Sequence, residues 1–243
     1  MRSLLLLPAL TLFATGASAQ DWSYQATLYG WLPGLSGTVD TRFGTIDFEP
    51  EGGGDSLIAL KAGFLGAFTA RRGPFSLTAD VLYASLEASG DAPLGLLYSG
   101  ATVSQDLMAI SGYGFYRVVD TPQTSLDLGA GFRSFDLALG VELGGEALPP
   151  ASQDIDASWT DPLLAAKVRY EIGDRWFLAG FADWGGTQSG DRTWQAYGGL
   201  GYRFNDNWST ELGYRHMEIA KDVRDTRVDL AVDGGLIAFS YSF

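Results

Sequence analysis

Cysteine is absent from the 243 residues, which excludes disulfide stapling, thiolate metal sites and a lipid anchor on a cysteine. Histidine is nearly absent: His216 stands alone, so imidazole clusters for metal binding are excluded too. Charged residues make up only 19% of the chain, and acids dominate them to give a net charge of −13. An acidic chain without clustered Lys and Arg is not built to neutralise phosphates, so nucleic acid is excluded as a partner. Beyond the N-terminus there is no apolar run of about 18 residues, and hence no transmembrane helix. The nearest candidate, 57–70, is shorter and contains Lys61, Gly63 and Gly66. No low-complexity linker divides the chain, and one domain is expected.

Other features are abundant. Arg2 precedes an apolar run from Leu4 to Ala14, and Ala17-Ser18-Ala19 supplies a small-residue cleavage site. Residues 1–19 therefore read as a secretory signal peptide, and 20–243 as the mature domain. Glycine is frequent (32 residues) and aromatics reach 13%. Alternating segments are expected at 22–32, 57–70, 75–88, 104–118, 124–138, 161–172, 176–185, 193–204, 208–220 and 227–243, ten strands in all. Short turns join them at 71–74, 120–123, 173–175 and 205–207. Longer, more acidic connections fall near 33–56, 89–103, 139–160, 186–192 and 221–226. Short turns at one end and long loops at the other describe an up-and-down transmembrane β-barrel. Eight strands result if one hairpin is a loop, and twelve if 139–160 forms its own spanning hairpin.

The faces of the strands separate lipid from lumen. On 161–172, Leu164, Ala166, Val168, Tyr170 and Ile172 oppose Asp161, Lys167, Arg169 and Glu171. On 193–204, Trp194, Leu200, Tyr202 and Phe204 oppose Gln195, Gly199, Gly201 and Arg203, and on 208–220 Trp208, Leu212 and Tyr214 oppose Glu211, Gly213 and Arg215. Isolated charges mixed with glycine suit the crowded interior of a small closed barrel better than a solvated sheet face. The same register points Lys61, Asp80, Arg117, Asp127, Arg133 and Asp183 inward. The lumen would then hold seven basic and five acidic residues. Near-balance inside an acidic chain puts the negative excess on loops and strand ends. Such a lumen would be ion-paired and would conduct poorly. Aromatics beside the short turns form an expected interfacial girdle: Trp22, Tyr24, Phe68, Phe75, Tyr170, Trp176, Phe204 and Trp208. Trp184 and Trp194 belong to the opposite girdle.

At the C-terminus Phe243, Tyr241, Phe239 and Ile237 share one face, with Ser242, Ser240 and Ala238 on the other. This segment resembles the terminal strand by which Gram-negative outer-membrane barrels are recognised by their assembly machinery. Together with Trp159-Thr160-Asp161-Pro162, Thr193-Trp194-Gln195, Gly201-Tyr202-Arg203-Phe204 and Leu212-Gly213-Tyr214-Arg215, it makes 21–243 similar to the opacity-protein and surface-antigen barrels. The resemblance implies an outer-membrane location, contact with lipid and lipopolysaccharide, and no cofactor. It does not specify an activity, and the partner of the loops stays open.

Catalytic patterns do not match. Lipid A deacylases of this architecture carry Ser two residues after a His, where this chain has Glu218. Omptin-like proteases set an Asp–His pair against paired Asp residues. His216 with Asp222 or Asp225 supplies at most half of that. Asp154-Ile155-Asp156 begins like a calcium loop, but Trp159 stands where the turn glycine belongs. Gly129-Ala130-Gly131 lacks the third glycine and the helix of a nucleotide fingerprint. The expectation is a non-enzymatic structural or surface-exposed barrel. A narrow channel for small solutes is the alternative, with an outer-membrane hydrolase behind it.

Overall fold

The computed structural model describes residues 22–41, 44–48, 62–90, 98–145, 149–186, 191–223 and 226–243. The expected signal peptide, Lys61 and the first-loop stretch 49–54 lie outside them. The described strands are β1 (Trp22–Thr41), β2 (Gly44–Phe48), β3 (Ala62–Arg72), β4 (Phe75–Gly90), β5 (Tyr98–Asp120), β6 (Thr124–Gly145), β7 (Ala151–Glu171), β8 (Trp176–Gly185), β9 (Arg192–Arg203), β10 (Trp208–Val223) and β11 (Thr226–Ser242). Each pairs antiparallel with its neighbours, and β1 pairs with β11 to close the ring. Ten strands make the wall, because β2 pairs only with the far end of β1, from Gly37 to Thr41. Closure runs from Gln25↔Ser242 to Val39↔Val228, so neither terminal strand leaves an open edge along this seam.

Strand lengths are uneven. β8 and β9 have 10 and 12 residues, about what a crossing requires, whereas β5, β6 and β7 have 23, 22 and 21. At about 3.4 Å per residue and a tilt near 40°, β6 rises roughly 57 Å along the barrel axis. That is about twice the ~25 Å apolar band of an outer-membrane barrel. The surplus lies at the long-loop end. Several expected connections are therefore mostly strand. Within 139–160, β6 runs to Gly145 and β7 restarts at Ala151 with Leu143↔Ala151 in register, so the stretch lengthens two strands and adds no spanning hairpin. Likewise β10 and β11 continue to Val223↔Thr226.

One physical change marks the junction between the two halves. On β6, Leu128 and Phe132 face outward while Asp127 and Arg133 are buried inside. Two residues later the polarity exchanges: Phe135, Leu137, Leu139, Val141 and Leu143 are buried, and Asp136 and Glu142 are exposed. β10 does the same between Tyr214 and Met217, and β11 between Val232 and Ile237. The backbone keeps its period of two throughout, so the inversion comes from the surroundings. In the membrane band lipid covers the outside, and beyond it water does.

Candidate functional site

The interior is stacked in layers, starting at the short-turn end. Arg117 binds Asp120 at 3.2 Å, and Glu171 receives Arg169 at 2.7 Å and Arg203 at 3.0 Å. These rim pairs are partly exposed, and such pairs contribute little individually. Above them Asp127, on β6, accepts from Arg117 Nε at 2.8 Å and from Arg71 of β3. Glu211 accepts from the Tyr197 hydroxyl at 3.1 Å. The Arg169 guanidinium lies 3.4 Å from the centre of the Phe177 ring. Lys167 reaches across the lumen to donate to Thr78 Oγ1 at 2.8 Å.

The next layer is more deeply buried. Arg133 and Asp183 pair with both side chains at 0% exposure. Asp183 also accepts from the Tyr113 hydroxyl at 2.7 Å and from Gln195 Nε2 at 2.6 Å. Arg133 donates further to Ser111 at 3.0 Å and to the Tyr113 hydroxyl at 2.7 Å. Arg215 donates to Gln195 Oε1 at 2.9 Å and to the Tyr29 hydroxyl at 3.2 Å, and Tyr29 donates to Asp80 at 2.5 Å. Multiple hydrogen bonds of this kind offset the cost of taking two charges out of water. Glycine makes the layer possible. A Cβ on Gly131 would meet the Gly112 carbonyl at 2.1 Å and the Tyr113 ring at 2.8 Å, and one on Gly201 would meet the Phe177 ring at 2.1 Å. Inward glycines are the sockets for lumenal rings.

Above the polar layers the interior is apolar. Trp31, Leu82, Leu107, Phe135, Leu137, Leu139, Met217, Ile219, Leu230 and their neighbours form one contiguous cluster, and Leu137 and Val141 are at 0% exposure. Phe135 stacks on Trp159 with ring centres 4.9 Å apart. Where β8 and β9 stop short, Lys221 of β10 closes the wall by binding Asp191 at 2.6 Å and Asp161 of β7 at 3.7 Å. Burial raises the Asp191 carboxyl, and the Lys221 ammonium beside it outweighs this and holds it below the usual carboxylate range.

Between the rim and the plug lies a cavity of about 460 Å³, lined from Ser23, Ser125 and Ser242 at its lower end to Tyr29, Gln195 and Arg215 at its upper end. The structure places Asp80, Arg117, Asp127, Lys167, Arg169, Glu211 and Arg215 on its wall, Glu171 and Arg203 at the rim, and Arg133 and Asp183 above it. Sequence reasoning gives no part to Arg71, Tyr29, Tyr113 and Thr78, and it puts Gln195 on the lumenal face without a partner. All but Arg71 sit on the inward parity of expected strands, which was the available signal. Arg71 was assigned to a turn.

Outside, Tyr24 stacks on Trp22, Phe68 and Phe243 with centres 6.3, 5.9 and 5.6 Å apart. Trp208 meets Tyr241 at 4.8 Å, Phe75 meets Tyr116 at 5.1 Å, and Tyr202 bridges Trp176 and Phe204. Tyr170 and Phe239 are exposed on the same outer face. Trp184 and Trp194 are register partners at the far edge of the band. His216 faces outward with its ring 4.7 Å from that of Trp194, away from the lumen. Asp154 and Asp156 lie on the outer face of β7, and no metal-binding cluster of acids and histidine occurs among the described residues.

No protein-family model and no curated protein matches the chain in sequence. Among solved structures, the outer-membrane protease OmpT of Escherichia coli superposes with a TM-score of 0.56 at 10% identity, over 93% of this chain and 98% of OmpT. The transport unit of the E. coli autotransporter AIDA-I gives 0.44 at 11% identity, covering 97% and 94% of the two chains. Neisserial surface protein A gives 0.35 at 14% identity, covering 89% and 95%. At 10% identity the likeness to OmpT is one of fold. With its closed ring and aromatic-girdled outer band, the chain is a ten-stranded β-barrel of the Gram-negative outer-membrane type.

Proposed function

We propose that this barrel is a closed structural element of the outer membrane that carries a rigid, acidic extension beyond the lipid, and that it is neither a channel nor an enzyme. The apolar cluster from Leu82 to Leu230, seated on the buried Arg133–Asp183 pair, carries this reading. A solute crossing the lumen would have to displace both. Short turns face the periplasm in bacterial barrels, which puts the extension outside the cell. There Asp106, Asp136, Glu142, Asp154 and Asp156 are exposed on strand walls, a rigid negative surface suited to the divalent-cation network of lipopolysaccharide. The terminal residues Phe239, Tyr241 and Phe243 are proposed as the signal for the assembly machinery. No cofactor enters this reading. OmpT is a protease, but the only histidine of this chain is on the outer wall, where no lumenal or mouth chemistry can use it.

The cavity of about 460 Å³ favours a second reading, a narrow channel for small solutes. Purified protein in planar bilayers separates the two. The closed reading expects rare, small openings, and large steady single-channel currents would make the channel the better account.

A further inference from the structure

We propose that the lumenal cavity is a binding site, open toward the short-turn end, for a small soluble anion bearing a phosphate or carboxylate group. The inference rests on an imbalance of partners around one carboxylate. Arg117 of β5, Asp127 of β6 and Lys167 of β7 face one another in register across three adjacent strands. Asp127 has two oxygens: Oδ1 is taken by Arg117 Nε, and Oδ2 by Arg71. Lys167, directly opposite the same carboxylate, is left without it. Its ammonium turns across the lumen, donates one hydrogen bond to Thr78 at 2.8 Å, and lies 4.3 Å from the centre of the Phe115 ring. Among the described residues no carboxylate reaches Lys167 within ion-pair distance. Asp80, the next acid along the cavity wall, is engaged by the Tyr29 hydroxyl at 2.5 Å and by Arg215 at 4.0 Å.

Arg71 repeats the signal. Its Nη2 serves Ser76 and Asp127, whereas its Nη1 is buried with no acceptor among the described residues. Three cations therefore surround one carboxylate, with an ammonium holding two spare N–H donors and a guanidinium nitrogen holding unused donors on the same cavity wall. Above the cavity, by contrast, both members of the Arg133–Asp183 pair are engaged several times over, Asp183 by Tyr113 and Gln195 and Arg133 by Ser111 and Tyr113. A polar cavity with convergent unused donors and net positive charge is complementary to an anion. Its volume, about 460 Å³, falls in the range of ~300–1,000 Å³ typical of small-molecule sites. That exceeds what an inorganic ion fills. The plug above leaves the site a dead end, so occupancy and transport are separate matters, and binding would survive a failure of the closed-barrel reading.

The test uses the refolded full chain in detergent micelles, titrated with inorganic phosphate against chloride of equal ionic strength, by calorimetry and by heat-modifiability on gels. Phosphate should raise the unfolding midpoint of the wild type. Lys167→Met should bind phosphate at least tenfold more weakly and lose that rise, while unfolding at a higher temperature than the wild type in phosphate-free buffer, because an uncompensated cation has gone. Thr78→Val removes the one acceptor that Lys167 has among the described residues but keeps the charge, and should retain phosphate binding within threefold or tighten it. No phosphate response in the wild type would overturn the proposal. So would equal responses in wild type and Lys167→Met, or loss of binding in Thr78→Val, which would make Lys167 a structural strut.

Discussion

Two regions of one barrel solve the same burial problem with opposite signs. In the membrane band Leu128, Leu164, Leu178 and Leu212 cover the outside, and the inside is charged. In the extension Leu137, Leu139, Val228 and Leu230 fill the inside, and Asp136 and Glu142 are wet. The band has lipid as its outer solvent and must place its polar groups inward, where they need partners. The extension has water outside and is free to form an ordinary apolar core. The junction between the two is the layer built on Arg133, Asp183 and Arg215. There the polar lumen ends and the core begins, and the Arg133–Asp183 pair at that boundary has both side chains at 0% exposure.

Breaking the comparison calls for one substitution at equivalent outward positions of one strand. Leu128→Lys sits mid-band on β6 and should destabilise the folded protein in lipid by about 2–4 kcal/mol. Asp136→Lys lies on the same face eight residues on and should change stability by no more than about 0.5 kcal/mol. Unfolding by urea from lipid vesicles measures both. Equal costs at the two positions would mean that the lipid boundary is misplaced.

A smaller effect sharpens the account of how the extension is held. Asp191 is tied to Lys221 and held below its ordinary range. A carboxyl whose folded value is depressed contributes stability above its unfolded value, near 3.9, and loses it as pH falls through the lower folded value. Heat-modifiability of the wild type should therefore decline below about pH 4. Asp191→Asn should show a shallower decline and a lower midpoint at neutral pH.

Much of the fold was legible because the chain alternates so regularly. Ten segments, the four short turns and the aromatic face of β11 all follow from a period of two and from turn residues. The upper halves of β6 and β7 were not legible as strands. Their outward acids, Glu142, Asp154 and Asp156, and the glycines Gly140, Gly144 and Gly145 read as solvated loop. The alternation continued there with its hydrophobic phase reversed, and a template fixed on lipid-outside strands does not follow such a reversal. For the lumen, parity places a side chain on a face but does not name its partner. Lys167 meets Thr78 across the barrel, from β7 to β4, and nothing in either local sequence encodes that contact. Formal charge also drew attention to ionised residues, while the hydroxyls of Tyr29 and Tyr113 and the amide of Gln195 tie the buried layer together.

The inversion can be measured directly because the chain has no cysteine of its own. Single cysteines placed along β6 from Asp127 to Leu143, in protein reconstituted into vesicles, would be probed with a charged, membrane-impermeant maleimide and with a lipid-soluble one. Positions 128, 130 and 132 should react only with the lipid-soluble reagent, 136, 138 and 142 with the charged one, and 135, 137, 139, 141 and 143 with neither. Ready labelling of that last set by the charged maleimide would show a water-filled interior in the extension, and would contradict the sealed barrel.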